Sequence, residues 1–271
     1  MKRELKEASR EQFIENRLFL STLSQKAADV ARRYGFGLEV SEFCTALNMD
    51  EDFHTWDEKV KSELYGIKRR IFHAPFNELF PAAIEPMVVD VARKRYAQAF
   101  QLAQSYGINR LVIHAGHVPT MYYDVWFVER SVEFWKEYLE DKPQNFNIVL
   151  ENVLEENPEP LVEIIGKVRD PRLGLCLDIG HANINSPIPL EEWINIMSPY
   201  LTHVHLHDNK GKSDQHLELG EGSIQLKRVI EKIESFCPDT TYTLETMDPE
   251  KSIVWLAKNS FLEGNTIDGI Q

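Results

Sequence analysis

The sequence predicts an α/β protein folded as a single (β/α)8 barrel over residues 1–271. Three observations predict it. Eight short apolar runs alternate with eight segments of helical periodicity. The length of 271 residues suits one such barrel, which takes about 250. An open nucleotide-binding sheet needs a glycine-rich turn after its first strand, and Thr22-Leu23-Ser24-Gln25-Lys26 is not one.

Taken in order, residues 1–17 are highly charged and read as an N-terminal helix or extension. Strands are expected at 18–22, 37–43, 70–74, 110–115, 146–153, 174–179, 202–208 and 242–246, all short and rich in apolar residues. Helices are expected between them at 25–34, 56–65, 85–106, 125–139, 161–168, 190–196 and 224–236, with a last one at 249–258. The clearest is 85–106. Pro86 suits its first turn, Val88, Val91, Ala92, Ala99, Ala103 and Tyr106 recur at helical spacing, and Gly107 supplies the stop. No repeat, linker or low-complexity stretch interrupts the alternation.

Composition narrows the function classes. Lys and Arg number 30 against 43 Asp and Glu, a net charge of −13, which disfavours a polyanion such as nucleic acid as partner. No apolar run approaches the ~20 residues of a membrane span, and the first residues lack a secretory apolar stretch, so a cytoplasmic location without membrane contact is expected. The three cysteines, Cys44, Cys176 and Cys237, form no CxxC pair. They suit a reducing compartment, and none is expected in the site.

The strand ends carry the chemistry. The third ends Phe72-His73-Ala74-Pro75-Phe76, the fourth Ile113-His114-Ala115, and the fifth Leu150-Glu151-Asn152. The sixth gives Leu177-Asp178-Ile179-Gly180-His181. The seventh gives His203-Val204-His205-Leu206-His207-Asp208-Asn209, and the eighth Leu244-Glu245-Thr246. Asp214-Gln215-His216 and Leu219-Gly220-Glu221-Gly222 follow the seventh strand. A lone strand-end histidine is more often a hydrogen-bonded structural residue than a ligand. Six successive strands ending in His, Asp or Glu behind apolar residues are different, because buried ionisable groups are costly unless a cation pairs with them. In a barrel these ends converge on one mouth. Imidazole and carboxylate donors without thiolate suit Zn²⁺, Mn²⁺ or Fe²⁺.

These motifs resemble the xylose-isomerase-like TIM-barrel superfamily (the AP endonuclease family 2), which contains endonuclease IV and many sugar or sugar-phosphate isomerases and epimerases. The resemblance runs from about Leu18 to Glu245. It implies up to three zinc ions held by His73, His114, Glu151, Asp178, His181, His205, Asp214, His216 and Glu245, with Glu151 bridging two of them. The isomerases and epimerases of the superfamily need only a quartet around one metal, which Glu151, Asp178, His205 and Glu245 would supply. Glu151 and Glu245 would then shuttle the proton, and they are the expected catalytic residues. Isomerisation has no evident use for the other five donors together, whereas clamping a phosphate has.

The resemblance to the DNA-binding side is poor: the loop after the second strand ends Met49-Asp50-Glu51-Asp52, acidic where DNA would want Arg. A small phosphorylated or sugar substrate is expected, with Phe76, His207, Asn209 and Lys210 touching it. Glu39 is the better inward candidate of Glu39 and Glu42, since alternation sends them to opposite faces. His203 lies deeper and reads as structural, and His117 as solvent-facing. The expected activity is metal-dependent hydrolysis of a phosphoester. The alternatives are a sugar or sugar-phosphate isomerase/epimerase, or a metal-holding barrel that binds a ligand without turning it over.

Overall fold

A computed structural model describes residues 13–263. Eight parallel strands, β1 (Leu18–Ser21), β2 (Gly37–Val40), β3 (Arg70–His73), β4 (Arg110–His114), β5 (Asn147–Glu151), β6 (Leu173–Asp178), β7 (Leu201–Leu206) and β8 (Thr241–Leu244), close in sequential order into a barrel. Closure is made where β1 pairs with β8, Leu18 opposite Tyr242 and Leu20 opposite Leu244. The helices are α1 (Ala27–Tyr34), α2 (Leu47–Asp50), α3 (Phe53–Leu64), α4 (Pro86–Ser105), α5 (Asp124–Leu139), α6 (Glu159–Val168), α7 (Ile179–Asn185), α8 (Leu190–Met197), α9 (Leu226–Phe236) and α10 (Pro249–Lys258). No described helix is long and apolar enough to cross a membrane.

Two apolar layers hold this arrangement. Outward strand residues such as Leu38, Phe72, Leu111, Leu150 and Leu177 pack with the helices in the large outer core. A smaller inner core of Phe19, Ile71, Val112, Val149 and Cys176 fills the barrel axis. Because strand side chains alternate, four of these inner residues lie two positions before a strand-end donor: Ile71 below His73, Val112 below His114, Val149 below Glu151, Cys176 below Asp178. Each donor is thus pushed to the mouth by an apolar plug beneath it. The register aligns them laterally, with His114 opposite Glu151 and Asp178 opposite His205.

Three details depart from the expected elements. The second strand stops at Val40, its last residue paired with β3, and Glu42 turns away to Thr22 Oγ1 (2.6 Å) and Lys59 Nζ (2.9 Å). The sixth ends at Asp178, whose Oδ1 accepts from His181 N (2.7 Å) and so starts the unexpected helix α7. Helix α2 is also additional; its Asp50 carboxylate grips Arg95 at 2.6 Å. Of the expected N-terminal extension, residues 1–12 lie outside the described residues. Ile14 is fully buried, its N–H donates to Phe261 O (3.0 Å), and Arg17 grips Glu234, so this stretch helps seal the barrel floor.

Candidate metal centre

All nine expected donors meet at the C-terminal mouth of the barrel. Seven of them come from strand ends or the first turn of α7; Asp214 and His216 come from the loop after β7. The arrangement resolves into three groups, the first two of which share Glu151. In the first, His73 Nε2 lies 3.2 Å and His114 Nε2 3.5 Å from Glu151 Oε2. In the second, His205 Nδ1 lies 3.4 Å from Glu151 Oε1, 3.6 Å from Glu245 Oε1 and 3.7 Å from Asp178 Oδ2. In the third, Asp214 Oδ2 faces His216 Nε2 at 2.9 Å and His181 Nε2 at 3.4 Å. Glu151 offers one oxygen to each of the first two groups.

The histidines are aimed by their other nitrogen. His73 Nδ1–H donates to Ala74 O (2.9 Å), His181 Nδ1–H to Asn152 O (3.0 Å) and His216 Nδ1–H to Glu245 O (2.8 Å). Each bond ties down Nδ1 and leaves Nε2 as the nitrogen that faces the mouth. Phe76 stacks flat on His114, ring centroids 4.2 Å apart and 10° from parallel, and fixes that imidazole from the side.

Charge follows the same plan. Burial would raise Glu151, yet the His205 imidazole beside it holds it well below the usual carboxylate range. Burial likewise opposes ionisation of Asp178, and His181 and His207 overcome it. Burial pushes His114 down to about 3, so this imidazole is neutral and free to ligate. Burial would lower His216 as well, but Asp214 and Glu245 lift it to about 9. His205 supplies the test of whether these residues suit a cation. It is fully buried, and neither ring nitrogen has an aligned hydrogen-bond partner. A buried orphan imidazole facing three carboxylates fits a divalent cation, which restores the lost interaction.

A cavity of about 380 Å³ opens over the groups, walled by Ser21, Leu23, Ser41, Cys44, Phe76 and Val153 around the donors. Of the four expected substrate contacts, only Phe76 reaches it. His207 is fully buried, its Nε2 3.1 Å from Asp178 Oδ1 and its ring stacked on His216 at 4.1 Å. Gly180 makes room for it: a Cβ there would meet His207 Cε1 at 2.0 Å. Asn209 is also buried, donating to Gly180 O (2.9 Å) and accepting from Asn183 Nδ2 (2.8 Å), so it ties the loop to α7. Lys210 is exposed away from the cavity. His117 is buried beside Phe127 rather than solvent-facing. Cys44 stands on the cavity wall although no cysteine was expected there, and burial pushes its thiol up. Neither Cys44 nor the Ser21–Ser41 hydroxyl pair (2.8 Å) carries a sequence signal, because both walls depend on how loops fold over the mouth.

Glu155, just behind the site, yields a stability prediction. Burial pushes its carboxyl up to about 7, offset in part by the Val153 N–H at 2.5 Å, and Oε1 has no partner. A raised folded value stabilises the fold fully below the unfolded value, and that contribution is lost as pH rises through about 7. Between pH 5 and 8.5 the residue is expected to withdraw stability of order 3 kcal/mol or less, at about 1.36 kcal/mol per unit. Glu155→Gln should flatten that part of the pH profile in denaturant titrations of chelator-treated protein; an unchanged slope would contradict the assignment.

Comparisons with known proteins bear on the fold and the family. The chain is 31% identical over 189 residues to the uncharacterized protein MJ1311 of Methanocaldococcus jannaschii, a match spanning 65% of this chain and 63% of the relative's length. It is 27% identical over 174 residues to the probable endonuclease 4 of Mycoplasma mobile, spanning 57% of this chain and 60% of that protein. The crystal structure of a D-tagatose 3-epimerase-like protein superposes with a TM-score of 0.70 at 23% identity, covering 93% of this chain and 97% of the other, a likeness of fold. The sequence profile of one family matches residues 24–262, nearly the whole barrel: this chain belongs to the xylose isomerase-like TIM barrel family.

Proposed function

We propose that this protein is a metal-dependent hydrolase of small phosphoesters. The observation that carries the reading is the extension of the donor set beyond one quartet. Glu151 joins two groups, and Asp214, His181 and His216 make a third on the same mouth. When bound there, divalent cations would hold phosphate oxygens, lower the proton affinity of water and neutralise a leaving oxygen.

The chain's own residues do the rest. His73, His114, Glu151, Asp178, His181, His205, Asp214, His216 and Glu245 would hold the ions, zinc best matching the imidazole-rich set, with Mn²⁺ or Fe²⁺ also compatible. Glu245 lines the cavity and offers a carboxylate oxygen that can take a proton from a reacting group. Phe76 forms one wall of the cavity and stacks on His114. The cavity's volume suits a sugar phosphate or similar small ester, and no Lys or Arg lines it to track a nucleic-acid backbone.

One observation favours a second reading. Glu151 Oε1 and Glu245 Oε1 flank His205 Nδ1, the arrangement a proton-shuttling isomerase or epimerase of this family would use. A substrate panel separates the two. Metal-replete protein is expected to release alcohol from small phosphoesters, to leave an abasic DNA duplex intact, and to lose turnover on chelation. Ketose epimerisation without any ester cleavage would replace the hydrolase reading with the isomerase one.

A further inference from the structure

His205 is aimed differently from three of the other donor histidines, while His114 is held by Phe76 stacked flat upon it. His73, His181 and His216 each rest on a backbone carbonyl, whereas His205 lies inside the barrel, where strand carbonyls are committed to the sheet. We propose that Glu39 is its positioning residue, held in place by a polar column that runs down the barrel axis. The inference rests on the metal-centre reading above.

Glu39 is fully buried on β2, with Oε1 3.1 Å from His205 Nε2, though off the ideal hydrogen-bond direction. Its other oxygen accepts from Thr243 Oγ1 (2.6 Å) and lies 3.2 Å from His203 Nε2. His203 Nδ1 meets Thr241 Oγ1 at 2.7 Å, and Arg110 Nη1 donates to that same hydroxyl at 2.8 Å.

Proton counting gives the column a direction. A guanidinium only donates, so Thr241 Oγ1 accepts from Arg110, and its one hydrogen faces two acceptors, Thr202 O at 3.1 Å and the nearer His203 Nδ1 at 2.7 Å. That leaves His203 Nε2–H to donate to Glu39 Oε2. A carboxylate only accepts, so the proton on the His205 side belongs to Nε2, pointing at Glu39 Oε1. With a cation in the mouth, Nδ1 would be the bare nitrogen, turned toward Glu151, Asp178 and Glu245, the tautomer a metal ligand needs. Cys176, the other neighbour in this layer, offers only a thiol, a weak acceptor. The inner barrel layer is therefore apolar on one side, with Ile71, Val112 and Val149, and a hydrogen-bonded support on the other.

The test compares wild type with Glu39→Gln, an isosteric change that removes one acceptor and introduces a donor. Zinc is titrated into each protein in competition with a chelator, and the ring nitrogens of zinc-loaded, ¹⁵N-histidine-labelled protein are read by NMR. The expected result is an unchanged number of ions, a 10- to 100-fold weaker affinity for one of them, and a slowly exchanging His205 Nε2–H in wild type that exchanges faster in the variant. Affinity within threefold of wild type overturns the role of Glu39. So does loss of one whole ion, which would make Glu39 a ligand. If wild type itself takes up no zinc, the metal-centre reading falls, and this inference with it. Should Glu39→Gln not fold, His203→Gln loosens the carboxylate without touching it. A 3- to 10-fold loss of affinity then supports the proposal, and no loss overturns it.

Discussion

Glu151→Gln is expected to lower kcat by about 10³-fold or more, because metal-held charge supplies several kcal/mol of transition-state stabilisation and each tenfold is worth about 1.36 kcal/mol. The reason lies in how much converges on this one side chain. Its Oε2 is approached by His73 and His114, and its Oε1 by His181 and His205, all within 3.5 Å. An amide of the same shape keeps one acceptor and loses the charge. Two of the three donor groups therefore fail together, while the third, built on Asp214, His181 and His216, keeps its own carboxylate. Elemental analysis is expected to fall from three ions to one per chain alongside the kinetic loss. Turnover within tenfold of wild type, with three ions retained, would remove Glu151 from the centre of the account.

Asp208→Ala is expected to have the next largest effect, by a different route. The Asp208 side chain touches none of the nine donors. Its Oδ1 accepts from the backbone N–H of Asn209 (2.9 Å) and Ile224 (3.2 Å), and its Oδ2 from Gly220 (3.2 Å) and Gly222 (3.0 Å). One carboxylate thus pins both ends of the loop that carries Asp214 and His216. Gly222 is required there, since a Cβ would meet Asp208 Oδ1 at 2.1 Å. Hydrogen bonds to a charged group contribute about 1.5–3 kcal/mol each, and solvent can replace those at the exposed glycine end. A loss of about 3 kcal/mol in unfolding free energy is expected in chelator-treated protein. The third ion should weaken by at least about 100-fold, on the order of the loss expected when a site's support fails, and the other two by less than threefold. Denaturant titration and chelator competition check the two halves separately. Stability within 1 kcal/mol of wild type and three equal ions would show that the loop needs no such anchor.

Much of this was legible in the sequence for a simple physical reason. Strand side chains alternate and parallel strands end together, so an apolar residue two positions before a polar one fixes which donors reach the mouth. Val112 before His114 and Val149 before Glu151 are read directly from the chain. The resemblance to endonuclease IV added Asp214 and His216, which no strand pattern identifies. Their positions depend on Asp208, whose four backbone bonds leave no periodic trace. The same limit explains the substrate contacts. His207 keeps the parity of His205, so the sequence places it inward, but its burial depends on Gly180 yielding the space and on His216 folding over it in the left-handed region, at φ 45°. Asn209 looks available for a ligand until the turn of α7 takes both ends of its amide. Alternation placed Glu39 on the inward face and left its height along the barrel axis open, because alternation gives direction but not depth.

We propose that nine side chains from six strands, helix α7 and one loop form a single multinuclear centre. Anomalous diffraction from a crystal of zinc-replete protein tests it most directly. Three ions are expected at the barrel mouth, two of them sharing Glu151 and the third against His181, Asp214 and His216. A single ion confined to Glu151, Asp178, His205 and Glu245, or none at the mouth at all, would contradict it.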